Sequence, residues 1–236
     1  MNPDLGLVTV ASWNVHGGVD VTGDPYDVVC RCAALGADVL ALQEVAGPDG
    51  RDLAAEVAEA LGYACAVAGD VASPSRVALL HRIAMTPLPS VALTPSPAWC
   101  GPRAAARGML DVAGTPVAVT AVHLCHRPDA SLRQLRALRG VLDADAGPAV
   151  LLGDCNLWRF GVRAALPGWM PAAVGPTWPA PRPHHQIDHV LVRGLRAVGG
   201  EIVALGGSDH RAVRATLVAA APPTEPAADA VRREIS

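Results

Sequence analysis

The chain has 236 residues, of which 51% are hydrophobic, and its formal net charge at pH 7 is -3. This length fits one large domain or two small ones, and one is expected because no linker interrupts the middle of the chain. The negative charge argues against a protein that coats nucleic acid non-specifically. All 19 basic residues are arginines, which excludes Schiff-base lysine chemistry and phosphate-loop lysines but leaves room for a local arginine-lined groove.

The N-terminal part of the chain alternates strand and helix patterns. In chain order, the predicted elements are a strand over 7–13, a helix over 24–35, a strand over 38–43 and a helix over 52–61. Asp24 followed by Pro25 has the form of a helix cap and a first-turn proline, and Gly36 and Gly62 are expected to end the two helices. This strand–helix–strand–helix opening indicates an α/β layered architecture.

The rest of the chain predicts further strands around one long helix. In chain order, the predicted elements are short β segments within 63–93, of which 76–80 is the clearest, a loop over 94–103, strands over 107–112 and 116–123, a helix over 129–144, a buried strand from 150, an irregular stretch over 158–183, and strands over 187–192, 197–205 and 212–218. Apolar residues at helical spacing support the helix. The composition of residues 219–236 predicts a disordered tail after a single domain over 1–218.

The stretch Val150 to Leu157 is the most informative, because an apolar run there stops at Gly153 and is followed by Asp154 and Asn156. Residues two apart in a strand project to the same side, so these two polar side chains are expected together, with Cys155 turned into packing. A carboxylate beside an amide suits water activation next to an oxyanion. Alone, the pattern is also ordinary turn chemistry.

Polar residues recur in this way wherever apolar strands stop. They are, in chain order, Asn14, Glu44, His123, Asp154 with Asn156, Asp188 with His189, and Ser208-Asp209-His210. Each alone could be a turn, a solvated loop end or a satisfied core histidine, but their repetition favours a shared site. The residues expected to converge around one ion-sized site are Glu44, Asp154, Asp188, Asp209 and His210.

Six segments carry a resemblance to a known family. They are Trp13-Asn14-Val15, Leu42-Gln43-Glu44-Val45, Val122-His123-Leu124, Gly153-Asp154-Cys155-Asn156, Ile187-Asp188-His189-Val190 and Ser208-Asp209-His210. In this order they resemble the endonuclease/exonuclease/phosphatase superfamily, which includes DNase I, abasic-site endonucleases of the exonuclease III type, inositol-polyphosphate 5-phosphatases and neutral sphingomyelinases. The resemblance implies an α/β (α+β) fold, a DNase I-like four-layered α-β-β-α sandwich, and Mg²⁺-dependent hydrolysis of phosphoesters.

The resemblance also implies a metal site. Glu44 would be the main Mg²⁺ ligand, with Asn14 close to the ion and Asp209 supporting the site. Few hard oxygen ligands, completed by water and substrate phosphate, are what Mg²⁺ prefers. Mn²⁺ is the expected substitute.

The remaining matched positions imply the catalytic groups. Asp154 would orient or deprotonate the attacking water, and Asn156 would hold the phosphate. His210 would contact the phosphoryl oxygens, with Asp188 hydrogen-bonded to its ring. His123 would be a second phosphate or leaving-group contact. Metal, imidazolium and amide donors would together offset the charge that attack on phosphate builds.

Four departures from family patterns occur, and the three that concern the abasic endonucleases bear on the substrate. Cys155 stands where many members have Phe or Leu, at a position expected to pack. The abasic endonucleases usually carry Asp where this chain has His16 and a Tyr-bearing motif where it has His123, and they are commonly lysine-rich. These differences argue against a dedicated DNA-repair enzyme. His123 is closer to the DNase I and phosphodiesterase branches, although the signal peptide and disulfides of secreted DNases are not evident.

Candidates for substrate contact lie outside these motifs. Arg107 precedes a β-pair and could reach the phosphate or form a surface salt bridge. The tryptophans of the irregular stretch, which could stack on a base, cover an apolar headgroup or anchor loops to the core, are Trp158, Trp169 and Trp178. His184-His185 is either a second metal site or a pair of loop residues.

The cysteines and the N-terminus bear on the compartment. The six cysteines are scattered without zinc spacing and are expected to be buried thiols rather than a disulfide framework. No basic start precedes an apolar segment, and no run approaches the ~20 apolar residues of a membrane span. The expectation is a soluble, cytoplasmic monomer without stable membrane insertion.

Three functions remain open from the sequence. The leading one is a Mg²⁺-dependent phosphodiesterase or nuclease acting on DNA or on a small phosphodiester, although duplex DNA would need a basic face. The second is a phosphomonoesterase or lipid-headgroup phosphodiesterase with the same machinery. The third is a catalytically silent module that binds a phosphate-bearing partner, against which the intact set of polar positions argues.

Overall fold

The computed structural model describes residues 6–70, 73–94 and 96–219. In this part of the chain the strands are β1 (Leu7–Asn14), β2 (Val39–Gln43), β3 (Ala64–Ala68), β4 (Val77–His81), β5 (Met85–Ala92), β6 (Ala104–Val112), β7 (Thr115–His123), β8 (Ala149–Asp154), β9 (Met170–Pro171), β10 (Asp188–Arg193), β11 (Leu195–Val203) and β12 (Ala212–Ala219). The helices are α1 (Val28–Leu35), α2 (Leu53–Leu61), α3 (Pro128–Ala144) and α4 (Arg159–Ala165).

The strands form two six-stranded mixed sheets. The first sheet has the order β11-β12-β1-β2-β4-β3, and the second has the order β5-β6-β7-β8-β10-β9. Each sheet has a parallel pair near its centre, β1 with β2 and β7 with β8. The other paired strands run antiparallel. The parallel pairs matter for function because both of their strands end at the same edge of the sheet.

The two sheets pack face to face over a core of small and β-branched side chains. Val10 and Val39 of the first sheet and Val119 and Leu152 of the second belong to one buried cluster. Strand alternation sends the intervening residues outward, where the helices cover them. On the first sheet, Trp13 is buried in a cluster with residues of α1 and α2.

The outer face of the second sheet is covered in the same way. Leu151 of β8 packs in a cluster with Leu135 and Leu138 of α3 and with Val162 of α4. The order of layers is therefore helix, sheet, sheet, helix. The predicted α-β-β-α sandwich is confirmed.

The predicted start of the first helix at Asp24 is wrong. The residue that caps α1 is Asp27, whose carboxylate accepts the backbone N–H of Cys30 at 2.8 Å. Asp24 belongs instead to a preceding turn, in which the Asp20 carboxylate accepts the Asp24 N–H at 3.0 Å. An aspartate suited to cap a helix therefore occurs twice, and the helix begins after the second.

The prediction that residues 158–183 are wholly irregular is also wrong. The segment contains α4, which buries Val162 and Ala165 against the α3 side of the core, and the short strand β9, which pairs with β10. At the other end of the domain, β12 includes Ala219, so that residue belongs to the sheet. The rest of the predicted tail lies outside the described residues.

The expectation that all cysteines are buried is wrong for Cys30 and Cys65, which are exposed on α1 and on the edge strand β3. The buried thiols are Cys32, Cys100, Cys125 and Cys155. Cys155 packs in the α3 side of the core, as predicted. Within the described ranges, none of the helices is long and apolar enough to cross a membrane.

Gly153 is required by the parallel pairing of β7 and β8. Its φ is +148°, and a Cβ at this position would lie 2.0 Å from the Val122 carbonyl oxygen. We expect Gly153→Ala to lower the free energy of unfolding by more than about 2 kcal/mol, because backbone rather than a flexible side chain must move. Urea denaturation measures this change.

Gly140→Ala in α3 is the matched control, because nothing lies within 4 Å of the added Cβ. This substitution is expected to raise stability by about 0.5–1 kcal/mol, since alanine restricts the unfolded chain and favours the helix. Equal effects of the two substitutions would contradict the close-approach explanation for Gly153.

Candidate active site

The strand ends of both sheets meet at one edge of the sandwich. Asn14 ends β1, and Glu44 directly follows the parallel strand β2. In the second sheet, Asp154 lies opposite His123 in the parallel register and opposite Asp188 in the antiparallel register. Strand β12 runs antiparallel to β1, so His210, just before it, comes to the same edge. The topology thus gathers the predicted polar residues.

Asn14 connects the two sheets at this edge. Its side-chain amide donates to Glu44 Oε1 at 2.9 Å and to Asp154 Oδ2 at 3.2 Å. His123 Nε2 lies 3.7 Å from each of the same two oxygens. Glu44 has a φ of +58°, a strained backbone that directs its side chain out of the strand. A carboxylate from each sheet is therefore held around one amide and one imidazole.

A buried ion pair lies beside this group. His210 Nδ1 contacts Asp188 Oδ2 at 2.9 Å, and its other ring nitrogen lies 4.0 Å from Asp154 Oδ2. Burial lowers the pKa of His210, but the neighbouring carboxylates, Asp188 first among them, outweigh it and raise that pKa to about 10. His210 is therefore an imidazolium at neutral pH.

For Asp154 and His123, in contrast to His210, burial is the dominant influence on the pKa and favours the uncharged form. Burial, followed by the Asp188 charge, raises the pKa of Asp154 to about 7, while the His210 charge acts in the opposite direction. Burial and the charge of Arg103 hold the pKa of His123 well below its ordinary value, so this ring is neutral. A carboxylate whose pKa lies near neutrality is suited to accept a proton, and a neutral imidazole can still donate one hydrogen bond.

The oxygen donors at this edge fit a hard divalent cation. Glu44 is partly open to solvent, and Asp209 Oδ1 is buried with no hydrogen-bond partner among the described residues. Asp209 Oδ2 accepts a hydrogen bond from the Trp178 indole at 3.1 Å, which fixes the carboxylate. His210 Nε2 lies 3.9 Å from this oxygen, beyond hydrogen-bond distance, so a bound cation or a water is needed to satisfy it directly. Glu44 and Asp209 are thus the residues best suited to hold Mg²⁺ or Mn²⁺.

A second set of candidate ligands is less suitable. Asp154, Asp188 and His210 offer ligand atoms that all lie within 4.8 Å of one another. Within this triad His210 Nδ1 already contacts Asp188 Oδ2 at 2.9 Å, whereas Asp209 Oδ1 has no hydrogen-bond partner among the described residues. The triad is therefore the second candidate for holding the cation, after Glu44 and Asp209.

Asn156 is held against Asp154 rather than extending the strand. Its backbone N–H donates to Asp154 Oδ1 at 2.8 Å, and its side-chain amide donates to the Leu124 carbonyl at 3.0 Å and to Asp154 Oδ2 at 3.2 Å. Its φ is +47°, so a turn and not strand alternation brings the two side chains together. Asn156 thereby orients the Asp154 carboxylate.

Arg107 is not part of this group. Its guanidinium donates to Asp145 Oδ2 at 2.6 Å, beyond the end of α3, and the residue is buried. Of the two predicted alternatives, the structure places Arg107 in a salt bridge. Sequence analysis missed Arg103, which lines a groove of about 450 Å³ together with Glu44 and His123. Arg103 follows a proline-rich loop, and no local pattern distinguishes it from the other arginines.

The tryptophans of the rim have different environments. Trp169 is buried in the α3 side of the core and anchors its segment. Trp158 is 57% exposed, and its ring stacks on His185 at 5.2 Å between centroids. His185 also stacks on Trp178 at 6.4 Å, so the three rings form a row that ends at Asp209. We call Trp158, His185 and Trp178 the aromatic row.

His184 does not form a metal site with His185. The ring nitrogen Nδ1 of His184 contacts the Arg182 carbonyl at 3.0 Å, and its ring meets that of His185 edge-on at 4.4 Å. Neither residue belongs to a cluster of three ligand atoms within the described ranges. The pair therefore consists of loop residues, of which one joins the aromatic row.

Comparison with known proteins places this geometry in a family. The chain matches the Endonuclease/Exonuclease/phosphatase family over residues 11–210. A search of curated proteins found no match. An endonuclease/exonuclease/phosphatase from Beutenbergia cavernae DSM 12333 is similar with a TM-score of 0.72 and 23% identity, over 92% of this chain and 73% of that one.

Two further solved structures share the fold. Truncated TDP2 from Caenorhabditis elegans gives a TM-score of 0.69 at 19% identity, over 90% of this chain and 98% of its own. The mannosyl-6-phosphatase Bt3783 from Bacteroides thetaiotaomicron VPI-5482 gives 0.74 at 17% identity, over 89% and 99%. At such identities the likeness concerns the fold alone.

The family match spans every strand end that contributes to the site, from Asn14 to His210. The two mixed sheets with flanking helices agree with this match. The chain belongs to the Endonuclease/Exonuclease/phosphatase family, a family of metal-dependent phosphoester hydrolases.

Proposed function

We propose that the protein is a Mg²⁺-dependent phosphodiesterase that acts on a small or single-stranded substrate. The observation that carries this proposal is the unbroken series of contacts from Glu44 through Asp154 to His210, which joins a candidate metal ligand, a base and a cation. A protein that only binds a phosphate-bearing partner, without catalysis, would not need these three groups together. The silent-module alternative is therefore not favoured.

Asp154 is the proposed base. Its carboxylate is buried, is oriented by hydrogen bonds from Asn14 and Asn156, and has a pKa raised to about 7. In this role it orients a water for attack on phosphorus and accepts the proton that the water loses. Positioned acid–base catalysis of this kind contributes typically ~10²–10⁴-fold.

His210 is the proposed cation at the phosphoryl oxygens. The Asp188 contact fixes the Nδ1 side of the ring, which leaves Nε2 directed toward the Asp154 and Asp209 carboxylates. An imidazolium placed where negative charge develops stabilises the transition state more than the ground state. His123, which is neutral, is the proposed hydrogen-bond donor to the leaving group.

Glu44 and Asp209 are the proposed ligands of the cation, and Asn14 holds the Glu44 carboxylate in place. A bound Mg²⁺ would supply Lewis-acid stabilisation of the phosphoryl charge. All other steps are assigned to side chains of the chain itself.

The aromatic row supports a diester with a planar group. It begins at the exposed Trp158 ring and reaches Asp209 through Trp178, so a base or aryl group stacked on it would extend toward the catalytic edge. The net charge of -3 is unfavourable for duplex DNA, which needs a basic face. A short or small substrate agrees with both observations.

A lipid-headgroup phosphodiesterase is the second candidate. The observation that favours it is a groove lined by the exposed apolar side chains Trp158, Phe160 and Val174 together with His185 of the aromatic row. An apolar rim of this kind is suited to an acyl surface. Phosphomonoester hydrolysis is the third candidate function.

Asp154→Asn is expected to lower kcat/KM for bis-p-nitrophenyl phosphate by at least about 100-fold, since the amide cannot accept the proton. Wild-type hydrolysis is expected to need Mg²⁺ or Mn²⁺ and to stop with EDTA. Asp143→Asn, on the exposed face of α3, is the matched control and should keep full activity. p-Nitrophenyl phosphate, single-stranded DNA and sphingomyelin vesicles, assayed in parallel, identify the substrate class.

Activity that persists in Asp154→Asn or in EDTA would overturn the proposal. Hydrolysis confined to the monoester or to vesicles would replace the leading function with the corresponding alternative. If the folded protein hydrolyses none of these substrates with the metal present, the catalytically silent binding module becomes the favoured function.

Asp188→Asn is expected to lower the pKa of His210, because burial then acts without its main opposing charge. In the wild type, charged His210 stabilises the fold fully below the ordinary histidine pKa of about 6.5, and this contribution is lost as pH rises through about 10. In the variant, both the stability contribution and the activity should be lost at a lower pH than in the wild type.

The His210 ring resonances in NMR and the alkaline limb of the pH–rate profile measure this change. Asp143→Asn again serves as the control, with an unchanged His210 titration. A titration of His210 in Asp188→Asn that matches the wild type would contradict the assigned cause of its charge.

Trp158→Ala is expected to raise KM for bis-p-nitrophenyl phosphate about tenfold with little change in kcat, because one stacking contact is worth roughly 1–3 kcal/mol. Glycerophosphocholine, which has no ring, should show no such change. Phe160→Ala removes a neighbouring side chain that is 81% exposed and outside the aromatic row, and it should leave KM unaltered. Equal effects of both substitutions would exclude stacking.

A further inference from the structure

A cluster of soft ligand atoms lies apart from the candidate Mg²⁺ ligands. Sγ of Cys100, Sγ of Cys125 and a ring nitrogen of His126 all lie within 4.8 Å of one another. Both thiols are buried, whereas His126 is exposed. Cys100 ends a short helical turn at Ala98–Cys100, and the other two residues follow β7. The fold therefore joins segments that are distant along the chain.

The donor set matches a borderline or soft cation and not Mg²⁺. Zinc binds thiolate sulfur at about 2.3 Å and imidazole nitrogen at about 2.0–2.1 Å, so tetrahedral sulfur ligands lie roughly 3.8 Å apart. Ligand atoms already within 4.8 Å need only a small contraction to reach this arrangement. Thiolate and imidazole together select Zn²⁺ or Co²⁺ over hard cations.

The two segments are held together by a buried glutamine. Gln134 of α3 accepts the backbone N–H of Cys125 at 2.9 Å and donates to Ser96 Oγ at 2.7 Å and to the Leu93 carbonyl at 3.3 Å. The Cys100 loop and the end of β7 are thus tied to one side chain. Preorganisation of this kind reduces the ordering cost of binding.

The imidazole is positioned by its own contact. The Trp99 ring, in the same turn as Cys100, meets the His126 ring edge-on at 5.0 Å between centroids. The Arg127 guanidinium lies over the Trp99 ring, 5.7 Å from its centroid. These contacts keep His126 beside the thiols although it is exposed.

We propose that Cys100, Cys125 and His126 form a second metal site, for Zn²⁺ or a cation of similar chemistry. The site adjoins the groove that Glu44, Arg103 and His123 line, and Cys100 and His126 belong to the walls of that groove. A bound ion would fix the loop that carries Trp99 to the end of β7. With three protein ligands, one position of a tetrahedral ion remains for water or a substrate group.

The test is a Co²⁺ titration of the full, reduced chain in excess Mg²⁺, which saturates hard oxygen sites. We expect one Co²⁺ per chain with thiolate-to-cobalt charge-transfer absorption, displaced by Zn²⁺. Cys100→Ser and Cys125→Ser should each lower that absorption by about half or more, and the double substitution should abolish it, while His126→Ala should weaken Co²⁺ binding about tenfold or more. Cys65→Ser, an exposed thiol elsewhere, is the matched control and should bind as the wild type does.

Asp154→Asn should also bind Co²⁺ with the same absorption, which separates this site from the proposed catalytic one. A second readout needs no variant: Zn²⁺ should protect Cys100 and Cys125, but not Cys65, from alkylation as mapped by peptide mass spectrometry. Absence of charge-transfer absorption with all thiols reduced would overturn the proposal. So would absorption that is unchanged in either single cysteine variant or that survives in the double variant. A Cys100–Cys125 disulfide that forms in place of metal binding would also overturn it.

Discussion

The buried ion pair between His210 and Asp188 is the interaction on which the candidate site depends. Two carboxylates, Asp154 and Asp188, are buried next to each other across neighbouring strands, and like charges so placed oppose joint ionisation. The His210 imidazolium contacts one and lies near the other, so it offsets part of this cost. The same charge that allows the carboxylates to be buried is available to a phosphoryl group.

The site also depends on how the two sheets meet. The first sheet supplies Asn14, Glu44 and His210, and the second supplies Asp154 and Asp188. Neither sheet contains a complete set, and the Asn14 amide bridges them with one hydrogen bond to each side. Close packing of small side chains between the sheets therefore sets distances within the site. A shift of the sandwich would separate base from cation.

Two surfaces of different character adjoin the candidate site. In the first, the aromatic row of Trp158, His185 and Trp178 ends at Asp209. In the second, a groove with Arg103 and the Cys100 turn adjoins Glu44. A fold alone does not fix a substrate, so these two surfaces are the parts of the candidate site expected to select it.

The sequence by itself determined the layered α/β class and the polar residues at strand ends, because strand periodicity and parallel pairing are local or topological rules. Only the tertiary structure decided the charge state of His210, the Asp145 partner of Arg107, and the cluster of Cys100 with Cys125. These features depend on burial and on contacts between segments far apart in the chain. The spacing of residues along the chain does not predict such contacts.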